Sequence, residues 1–272
     1  MEMFSLKNKN IIVTGALGLL GKEHVKAIAS AGGNPIMLDI DNKRLLEFSQ
    51  HISKKYNVNS IGFEVDITQE NSIKNNCEIV KSKFDKLDGL INNAANNPKV
   101  ENNKNNFNRL ENFPMKLWDD DLNVSLRGSF LCCKYYGNLI SKNPNGGSII
   151  NVSSDLGLIA PNQSLYKEDG VKEESQKVKP ITYSVVKHGI IGLTRYLATY
   201  WGSNNVRSNA ICPGAVFNDQ KKDFVKKISK MIPLGRMAKK NDLHGIIVYL
   251  LSDSSSYMNG SIISIDGGRV VW

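Results

Sequence analysis

Cysteine is scarce in this chain, and its placement excludes several classes of protein. The 272 residues include four cysteines, with no Cys-x-x-Cys pair and no histidine at metal-ligand spacing: Cys77, Cys132, Cys133 and Cys212. We therefore expect reduced thiols and no metal site. No run approaches the roughly 18 apolar residues of a membrane span. The first ten residues also lack the apolar core of a signal peptide, so we expect a cytoplasmic protein that does not bind a membrane.

Acidic residues are in the minority, at 26 against 35 Lys and Arg, which gives a net charge of +9. No stretch concentrates basic residues with interleaved aromatics, so we do not expect nucleic-acid binding. A solvated basic surface explains the charge, and an anionic small-molecule substrate also remains open. The 41% hydrophobic content suits a globular protein, and no Pro/Ser-rich linker divides the chain. We expect one domain over residues 1–272.

Short apolar runs alternate with longer helical patterns along the whole sequence. Strands are predicted at 11–13, 35–39, 61–65, 88–91, 148–152, 206–211 and 261–265. Helices are predicted at 19–31, 43–55, 72–84, 115–140, 181–201 and 242–251. This alternation predicts an α/β fold, a doubly wound parallel seven-stranded sheet with helices on both faces. Its ligand should bind at the carboxyl ends of the strands.

Two stretches interrupt the alternation. Residues 96–113 are crowded with Asn, and residues 162–180 are rich in Lys and Glu. Each is interpreted either as a plain surface insertion or as a lid over the substrate.

A glycine-rich turn, from Thr14 to Gly21, joins the first strand to the first helix. Its order is Thr14-Gly15-Ala16-Leu17-Gly18-Leu19-Leu20-Gly21. After a strand and before a helix, such a turn places unpaired amide N–H groups against a pyrophosphate. The alternative is a tight turn that binds no ligand.

Two carboxylates end the neighbouring strands. Asp39 can accept hydrogen bonds from the adenosine ribose hydroxyls and would repel a 2′-phosphate. The turn holds no Lys or Arg, and Ile40 follows Asp39, so NAD(H) is favoured over NADP(H). Asp66, followed by Ile67, is placed to meet the adenine edge. Helix capping is the alternative for both carboxylates, with Thr68 sharing the role of Asp66.

Tyr183 and Lys187 are four residues apart and so lie on one face of a helix. A nearby ammonium stabilises phenolate, which lets the tyrosine exchange a proton at neutral pH. With Ser154 upstream and a dinucleotide site, the pattern indicates hydride transfer at a carbinol or ketone. Taken singly, Ser154 is also interpretable as a strand-end cap and Tyr183 as a core-edge aromatic.

In this order the motifs resemble the short-chain dehydrogenase/reductase family. The markers are Thr14-Gly15-x-x-Gly18-x-x-Gly21, Asn92-Asn93-Ala94-Ala95, Asn123, Ser154, Tyr183-x-x-x-Lys187, Pro213-Gly214 and Asp266-Gly267-Gly268. The resemblance implies one Rossmann-type domain and an NAD(P)-dependent carbonyl/alcohol reaction. It also implies dimers or tetramers, with the helices at 115–140 and 181–201 buried between subunits.

The resemblance extends to individual cofactor contacts. It implies that Asn92 and Ala94 border the adenosine ribose and that Lys187 binds the nicotinamide ribose. The remaining cofactor contacts that we expect are Thr14, Gly15, Leu17, Gly18, Leu19, Ala95, Tyr183, Pro213, Gly214, Val216 and Asn218. Asn218 stands where a threonine often contacts the nicotinamide carboxamide.

The same resemblance implies a division of labour in catalysis. Tyr183 donates a proton to the carbonyl oxygen while the nicotinamide gives hydride to the carbon, and tyrosinate takes the alcohol proton in oxidation. Ser154 hydrogen-bonds the same oxygen. Lys187 lowers the pKa of Tyr183. Asn123 holds a water that relays protons to Lys187, or else satisfies a buried backbone group.

The sequence departs from the family pattern in three places, two of which bear on the cofactor and one on the substrate pocket. The glycine spacing differs from the common Gly-x-x-x-Gly-x-Gly, Asn218 replaces a threonine, and Tyr183 follows Ser154 at more than the usual distance. The chain is similar to oxidoreductases called flagellin modification proteins, which are linked to bacterial surface sugars. The resemblance rests on the long insertion, on Phe217-Asn218-Asp219-Gln220 after Pro213-Gly214, and on Pro233-Leu234-Gly235-Arg236-Met237. It suggests a sugar or sugar phosphate as substrate. The alternatives are an NADPH-dependent enzyme like 3-oxoacyl-carrier-protein reductase and a binding protein that senses NAD(P) without turnover.

Overall fold

A computed structural model describes residues 2–96 and 109–272. The strands are β1 Asn10–Thr14, β2 Asn34–Asp39, β3 Ile61–Glu64, β4 Gly89–Asn92, β5 Gly147–Val152, β6 Val206–Pro213 and β7 Ile262–Ile265. Within the described residues these seven strands form one parallel sheet in the order β3-β2-β1-β4-β5-β6-β7. The order reverses between β1 and β4, which opens a crevice at their carboxyl ends. The predicted fold is confirmed.

The helices are α1 Leu19–Ser30, α2 Asn42–Tyr56, α3 Glu70–Lys83, α4 Met115–Leu122, α5 Gly128–Cys132, α6 Asn138–Ile140, α7 Ile181–Tyr200, α8 Lys222–Ser229 and α9 His244–Leu251. Two π turns, Asn123–Arg127 and Cys133–Gly137, join α4, α5 and α6 into the long helix predicted at 115–140. The sequence pattern does not predict helix α8, because this short helix has few apolar residues and they stand among lysines. In the described part of the chain no helix is long and apolar enough to cross a membrane.

The core lies on both faces of the sheet. Ile11 and Val13 of β1 pack with α1, α2 and α9, whereas Ile12 between them packs with α3, the 115–140 helix and α7. Successive strand residues point to opposite faces, so burial on both faces explains why the strands read as continuous apolar runs rather than alternating ones.

The 162–180 segment folds back on itself next to the carboxyl ends of the strands. It contains two 3₁₀ turns, Gln163–Tyr166 and Glu173–Ser175. The side chain of Gln176 accepts from the Glu168 amide at 2.8 Å and donates to the Glu168 and Val171 carbonyls. A buried side chain therefore orders this segment. Of the other predicted insertion, residues 97–108 lie outside the described residues.

Candidate active site

A cleft of about 910 Å³ lies at the carboxyl ends of the strands. It brings together most of the predicted site residues, namely Gly15, Leu17, Gly18, Leu19, Asp39, Ile40, Asp66, Ile67, Ala94, Ala95, Ser154, Tyr183, Lys187, Pro213, Gly214, Val216 and Asn218. The glycine turn and Asp39 belong to its β1–β2 side, and Tyr183 and Lys187 to α7. Segments far apart in sequence thus share one cavity.

The glycine turn is shaped by close backbone approach. Gly15 has φ +60°, and a Cβ there would lie 2.8 Å from the Ala94 Cα. A Cβ on Gly21 would lie 2.1 Å from the Gly15 carbonyl oxygen. Gly18 is the N-cap residue of α1 and provides no side-chain cap, so the first amides of the helix keep their hydrogen-bonding capacity at the cleft wall. The turn fits the pyrophosphate of a dinucleotide.

Asp39 sits at the cleft with both carboxylate oxygens engaged by the backbone. Its oxygens accept from the Leu17 amide and from the Ile40 amide, each at 2.9 Å. The predicted alternative, that Asp39 caps the next helix, is wrong, because Asp41 caps α2 by accepting from the Arg44 amide. Arg44 also lines the cleft, and its guanidinium is 3.6 Å from Asp41.

Asp66 shapes the turn ahead of α3 but does not cap that helix, whose N-cap residue is Gln69. It lines the cleft, and its Oδ1 accepts from the Thr68 amide at 2.9 Å and the Thr68 hydroxyl at 2.7 Å. These two bonds turn the chain ahead of α3. The second carboxylate oxygen, Oδ2, receives neither of them.

Asn92 departs from its predicted place beside the cofactor. It is 3% exposed and does not line the cleft. Its amide nitrogen donates to the Asn151 side-chain oxygen at 2.8 Å and approaches the Cys133 sulfur at 3.1 Å. The side chain therefore ties β4 to β5 and to the second π turn.

Thr14, a predicted cofactor contact, does not line the cleft and instead holds the chain after β4. The Thr14 hydroxyl oxygen accepts from the amides of Asn93 and Ala94, at 3.0 and 3.1 Å. The Asn93 side chain donates to the carbonyls of Thr14 and Gly15. Asn93 lines the cleft and was not among the predicted ligands, although it stands inside the quoted Asn-Asn-Ala-Ala motif.

Helix α7 carries the tyrosine and the lysine. It begins at Ile181, so Tyr183 lies in its first turn and Lys187 one turn later. The Lys187 ammonium donates to the Val152 carbonyl at 2.9 Å and lies 5.7 Å from the centroid of the Tyr183 ring. Burial, helped by the nearby charge of Lys179, lowers the pKa of Lys187 to about 8.

Removal from water raises the pKa of Tyr183 to about 12, while its hydrogen bond with Ser154 acts in the opposite direction. The sequence predicted a pKa lowered by Lys187. The structure gives the other direction, because burial disfavours the phenolate and the nearby Asp155 carboxylate raises the pKa of Tyr183 further. A second ammonium is closer, since Lys179 Nζ lies 3.8 Å from the ring centroid.

Ser154 follows β5 and begins the 3₁₀ turn Asp155–Gly157. Its hydroxyl donates to Asp155 Oδ1 at 2.8 Å and accepts from the Leu156 amide at 3.2 Å. Ser154 therefore caps the strand end, as one interpretation held, and faces the cleft as well. Asp155 pairs with Arg269 in a buried ion pair at the cleft wall. No sequence motif marked either partner of this pair.

Asn123 begins the first π turn, where its carbonyl accepts from the Gly128 amide five residues later. It does not line the cleft. Within the described part of the chain its side chain makes no hydrogen bond, so the proposed satisfaction of a buried backbone group is not seen there.

Comparison with known proteins covers almost the whole chain. The family model described as short chain dehydrogenase matches residues 9–167, and that described as Enoyl-(Acyl carrier protein) reductase matches residues 170–269. The 3-oxoacyl-[acyl-carrier-protein] reductase of Aquifex aeolicus is 28% identical, over 97% of this chain and 98% of its own. The post-translational flagellin modification protein A of Campylobacter coli is also 28% identical, over 97% and 98%. The solved NADPH-dependent 3-quinuclidinone reductase of Rhodotorula rubra is 25% identical with a TM-score of 0.83, over 100% and 94%.

Proposed function

The chain belongs to the short-chain dehydrogenase/reductase family, and we propose that it transfers hydride between NAD(H) and a hydroxyl or ketone of a sugar-like substrate. The family establishes an oxidoreductase that acts on alcohols or ketones with a nicotinamide cofactor. One observation carries the proposal. Ser154, Tyr183 and Lys187 line the same cleft as the glycine turn and Asp39.

In this mechanism Tyr183 is the acid and base that exchanges a proton with the substrate oxygen. Ser154 holds that oxygen within reach of the phenol. A bound nicotinamide supplies or receives the hydride. Because the pKa of Lys187 is about 8, this lysine can lose a proton near neutral pH. Lys187 is therefore suited to pass protons to Tyr183 between turnovers.

The preference for NAD(H) rests on charge at the adenosine end of the cleft. Asp39 places a carboxylate there, and a carboxylate accepts from ribose hydroxyls but repels a 2′-phosphate. Arg44 also lines the cleft, and its guanidinium lies against Asp41, which offsets its attraction for a phosphate. The NADPH dependence of the Rhodotorula rubra relative makes this preference the part of the proposal to test first.

A sugar or sugar phosphate fits the other end of the cleft. That end is lined by polar side chains from the 162–180 segment and from the loop after β6, namely Tyr166, Lys179, Asn218 and Gln220. Such groups suit a polyhydroxylated or anionic substrate. The flagellin modification relative supports surface-glycan synthesis as the setting. The 162–180 segment then acts as a lid over the substrate.

A 3-oxoacyl-carrier-protein reductase is the alternative enzyme, favoured by the Aquifex aeolicus relative and by the net charge of +9, which suits an acidic carrier. Asp39 argues against it, since that activity normally uses NADPH. The third hypothesis is a protein that binds the cofactor as a sensor and does not catalyse a reaction. The presence of Ser154, Tyr183 and Lys187 together argues against that reading.

We propose a homodimer or homotetramer assembled through the long helix and α7. Both present large exposed apolar side chains, among them Phe130 at 52%, Tyr196 at 62% and Tyr200 at 61% exposure. Exposed aromatics on adjoining helices are typical of interfaces between copies. We place the protein in the cytoplasm, where four buried free thiols remain reduced.

The test is a titration of the purified protein with NADH and with NADPH, followed by nicotinamide fluorescence. We expect NADH to bind at least about tenfold more tightly. Tighter binding of NADPH than of NADH would refute the argument from Asp39 and favour the oxoacyl-carrier-protein reductase as the function. If neither nucleotide binds, the proposed function fails as a whole.

A panel of sugar and sugar-phosphate alcohols with NAD⁺, set beside an oxoacyl thioester with NADH and NADPH, then separates the two enzymes. Nicotinamide absorbance reports turnover in either direction. Tyr183→Phe serves as the inactive control. Binding of cofactor with no turnover on either panel, together with an unchanged biological role in the Tyr183→Phe strain, would favour the sensing protein.

A further inference from the structure

The buried ion pair between Asp155 and Arg269 lies next to the serine of the proposed reaction. The two residues are 3% and 5% exposed, and 114 positions separate them in the sequence. Burying two charges costs desolvation energy that their attraction often fails to recover. Stability alone is therefore a weak reason for the pair, and its position beside Ser154 calls for another.

The hydrogen bonds on Asp155 divide between its two oxygens. Oδ1 accepts from the Ser154 hydroxyl and from the Leu156 amide, each at 2.8 Å. Oδ2 accepts from the Arg269 guanidinium. If the serine hydroxyl turns away, Asp155 keeps the amide and its countercharge. The aspartate can therefore release the serine at little cost, because its charge stays paired and hydrogen-bonded.

A serine hydroxyl donates one proton at a time. In the structure that proton goes to Asp155, whereas a reacting carbonyl oxygen needs the same proton from Ser154. We propose that Asp155 and Arg269 are positioning residues. Asp155 accepts the Ser154 hydroxyl proton when no substrate is bound. Arg269 balances the Asp155 charge, so that this hydrogen bond is weak enough for the hydroxyl to turn to the substrate oxygen. This inference rests on the proposed function.

Several contacts hold the turn after β7 that carries Arg269. The Asp266 carboxylate accepts from the amides of Gly268 and Val270, at 3.0 and 2.8 Å. Gly268 has φ +91°, a conformation that glycine adopts readily. A Cβ on Gly214, at the cleft wall, would lie 2.8 Å from the Asp266 Cα. This turn is therefore held against the cleft, and it positions the Arg269 guanidinium next to the Asp155 carboxylate.

The charge of Asp155 also reaches Tyr183. Lys187 faces the Tyr183 ring from α7, and Lys179 faces it from the segment before that helix. Asp121 of α4 lines a small cavity together with Tyr183 and accepts a hydrogen bond from the Thr182 hydroxyl. From β6, the Cys212 thiol faces Lys187. Among these groups, the Asp155 carboxylate raises the pKa of Tyr183. Arg269 forms an ion pair with that carboxylate and so offsets its charge.

The titration of Tyr183 therefore reports the state of the pair without substrate or cofactor. We would incorporate 3-fluorotyrosine, whose fluorine lowers the phenol pKa into a range that folded protein tolerates, and assign the Tyr183 fluorine resonance with Tyr183→Phe. Asp155→Asn should lower the pH midpoint of that resonance by about one unit. Arg269→Gln should raise it, because the Asp155 charge is no longer offset.

The control is Arg236→Gln, which breaks the exposed Arg236–Asp242 ion pair and should leave the midpoint unchanged. If Arg269→Gln fails to fold, the double variant Asp155→Asn/Arg269→Gln, which leaves no unpaired charge, should still titrate below the parent. An Asp155→Asn midpoint equal to or above the parent's overturns the inference. NADH binding, measured alongside, tests the proposed function separately, since the fluorine titration needs no ligand.

Discussion

Gly21→Ala would force a clash between backbone segments inside the glycine turn. The added Cβ would lie 2.1 Å from the Gly15 carbonyl oxygen and 2.9 Å from the Ala16 Cα. The first distance is about 1.3 Å shorter than the 3.4 Å at which ordinary contact begins. Both neighbours are backbone atoms, so no side chain can rotate to relieve the clash. The turn and α1 must separate instead.

The cost falls on both stability and binding. Overpacking of this kind typically destabilises the fold by about 1–3 kcal/mol. A shift of about 1 Å also takes amides of the turn out of hydrogen-bonding range of a phosphate, and one such charge-assisted bond is worth about 1.5–3 kcal/mol. We therefore expect the Kd for NADH to rise at least about tenfold.

Thermal unfolding and nicotinamide fluorescence measure the two effects on the same sample. Gly245→Ala is the matched control, because a Cβ at that exposed position of α9 meets nothing within 4 Å. Its stability should be unchanged or slightly raised, since alanine favours helix over glycine. If Gly21→Ala melts and binds NADH like the parent, the close-approach reasoning for this turn is refuted.

Three further outcomes are expected. Asp39→Ser should weaken NADH binding and strengthen NADPH binding. Glu47→Gln, which removes an exposed carboxylate outside the cleft, should change neither affinity. If Asp39→Ser weakened the binding of NADH and NADPH equally, the charge argument would be contradicted. Tyr183→Phe should lower kcat by at least about 10²-fold with unchanged NADH binding, while Tyr196→Phe on the same helix should keep full activity. Burial lowers the pKa of His24 to about 3, below its unfolded value, so stability is full above about pH 6.5 and falls as the pH drops towards the folded value. Between about pH 7 and about pH 5 the parent should lose about 2 kcal/mol, and a His24→Met protein that lost as much would exclude this histidine as the cause.

Much of the fold and the outline of the site could be predicted because both follow from local pattern. Apolar runs of strand length separated by helical periodicity specify a parallel sheet, and a parallel sheet gathers the residues after its strands at one edge. This places Gly15, Asp39 and Ser154 in one cleft before any coordinates are known. The four-residue spacing then adds Tyr183 and Lys187 from α7.

The remaining features depend on which way a side chain turns and on contacts between distant segments. Asn92 and Asn93 are adjacent at the end of β4, where successive side chains face opposite ways. The Asn92 side chain packs between the sheet and the long helix, whereas the Asn93 side chain bonds the glycine turn. The sequence does not show which of the two lies on which side. The pairing of Asp155 with Arg269 is likewise invisible to local spacing. The pKa of Tyr183 depends on how deeply the phenol is buried, which only the packed structure defines.

The placement of Arg269 ties the active-site cleft to the edge of the sheet. Arg269 lies on the turn after β7, which is an edge strand, whereas Asp155 follows β5 in the interior of the sheet. Elements with few neighbours can open locally without unfolding of the whole protein. Local opening of β7 would withdraw Arg269 and leave a buried, unpaired carboxylate beside Ser154. The edge strand therefore helps to set the electrostatic environment of the serine.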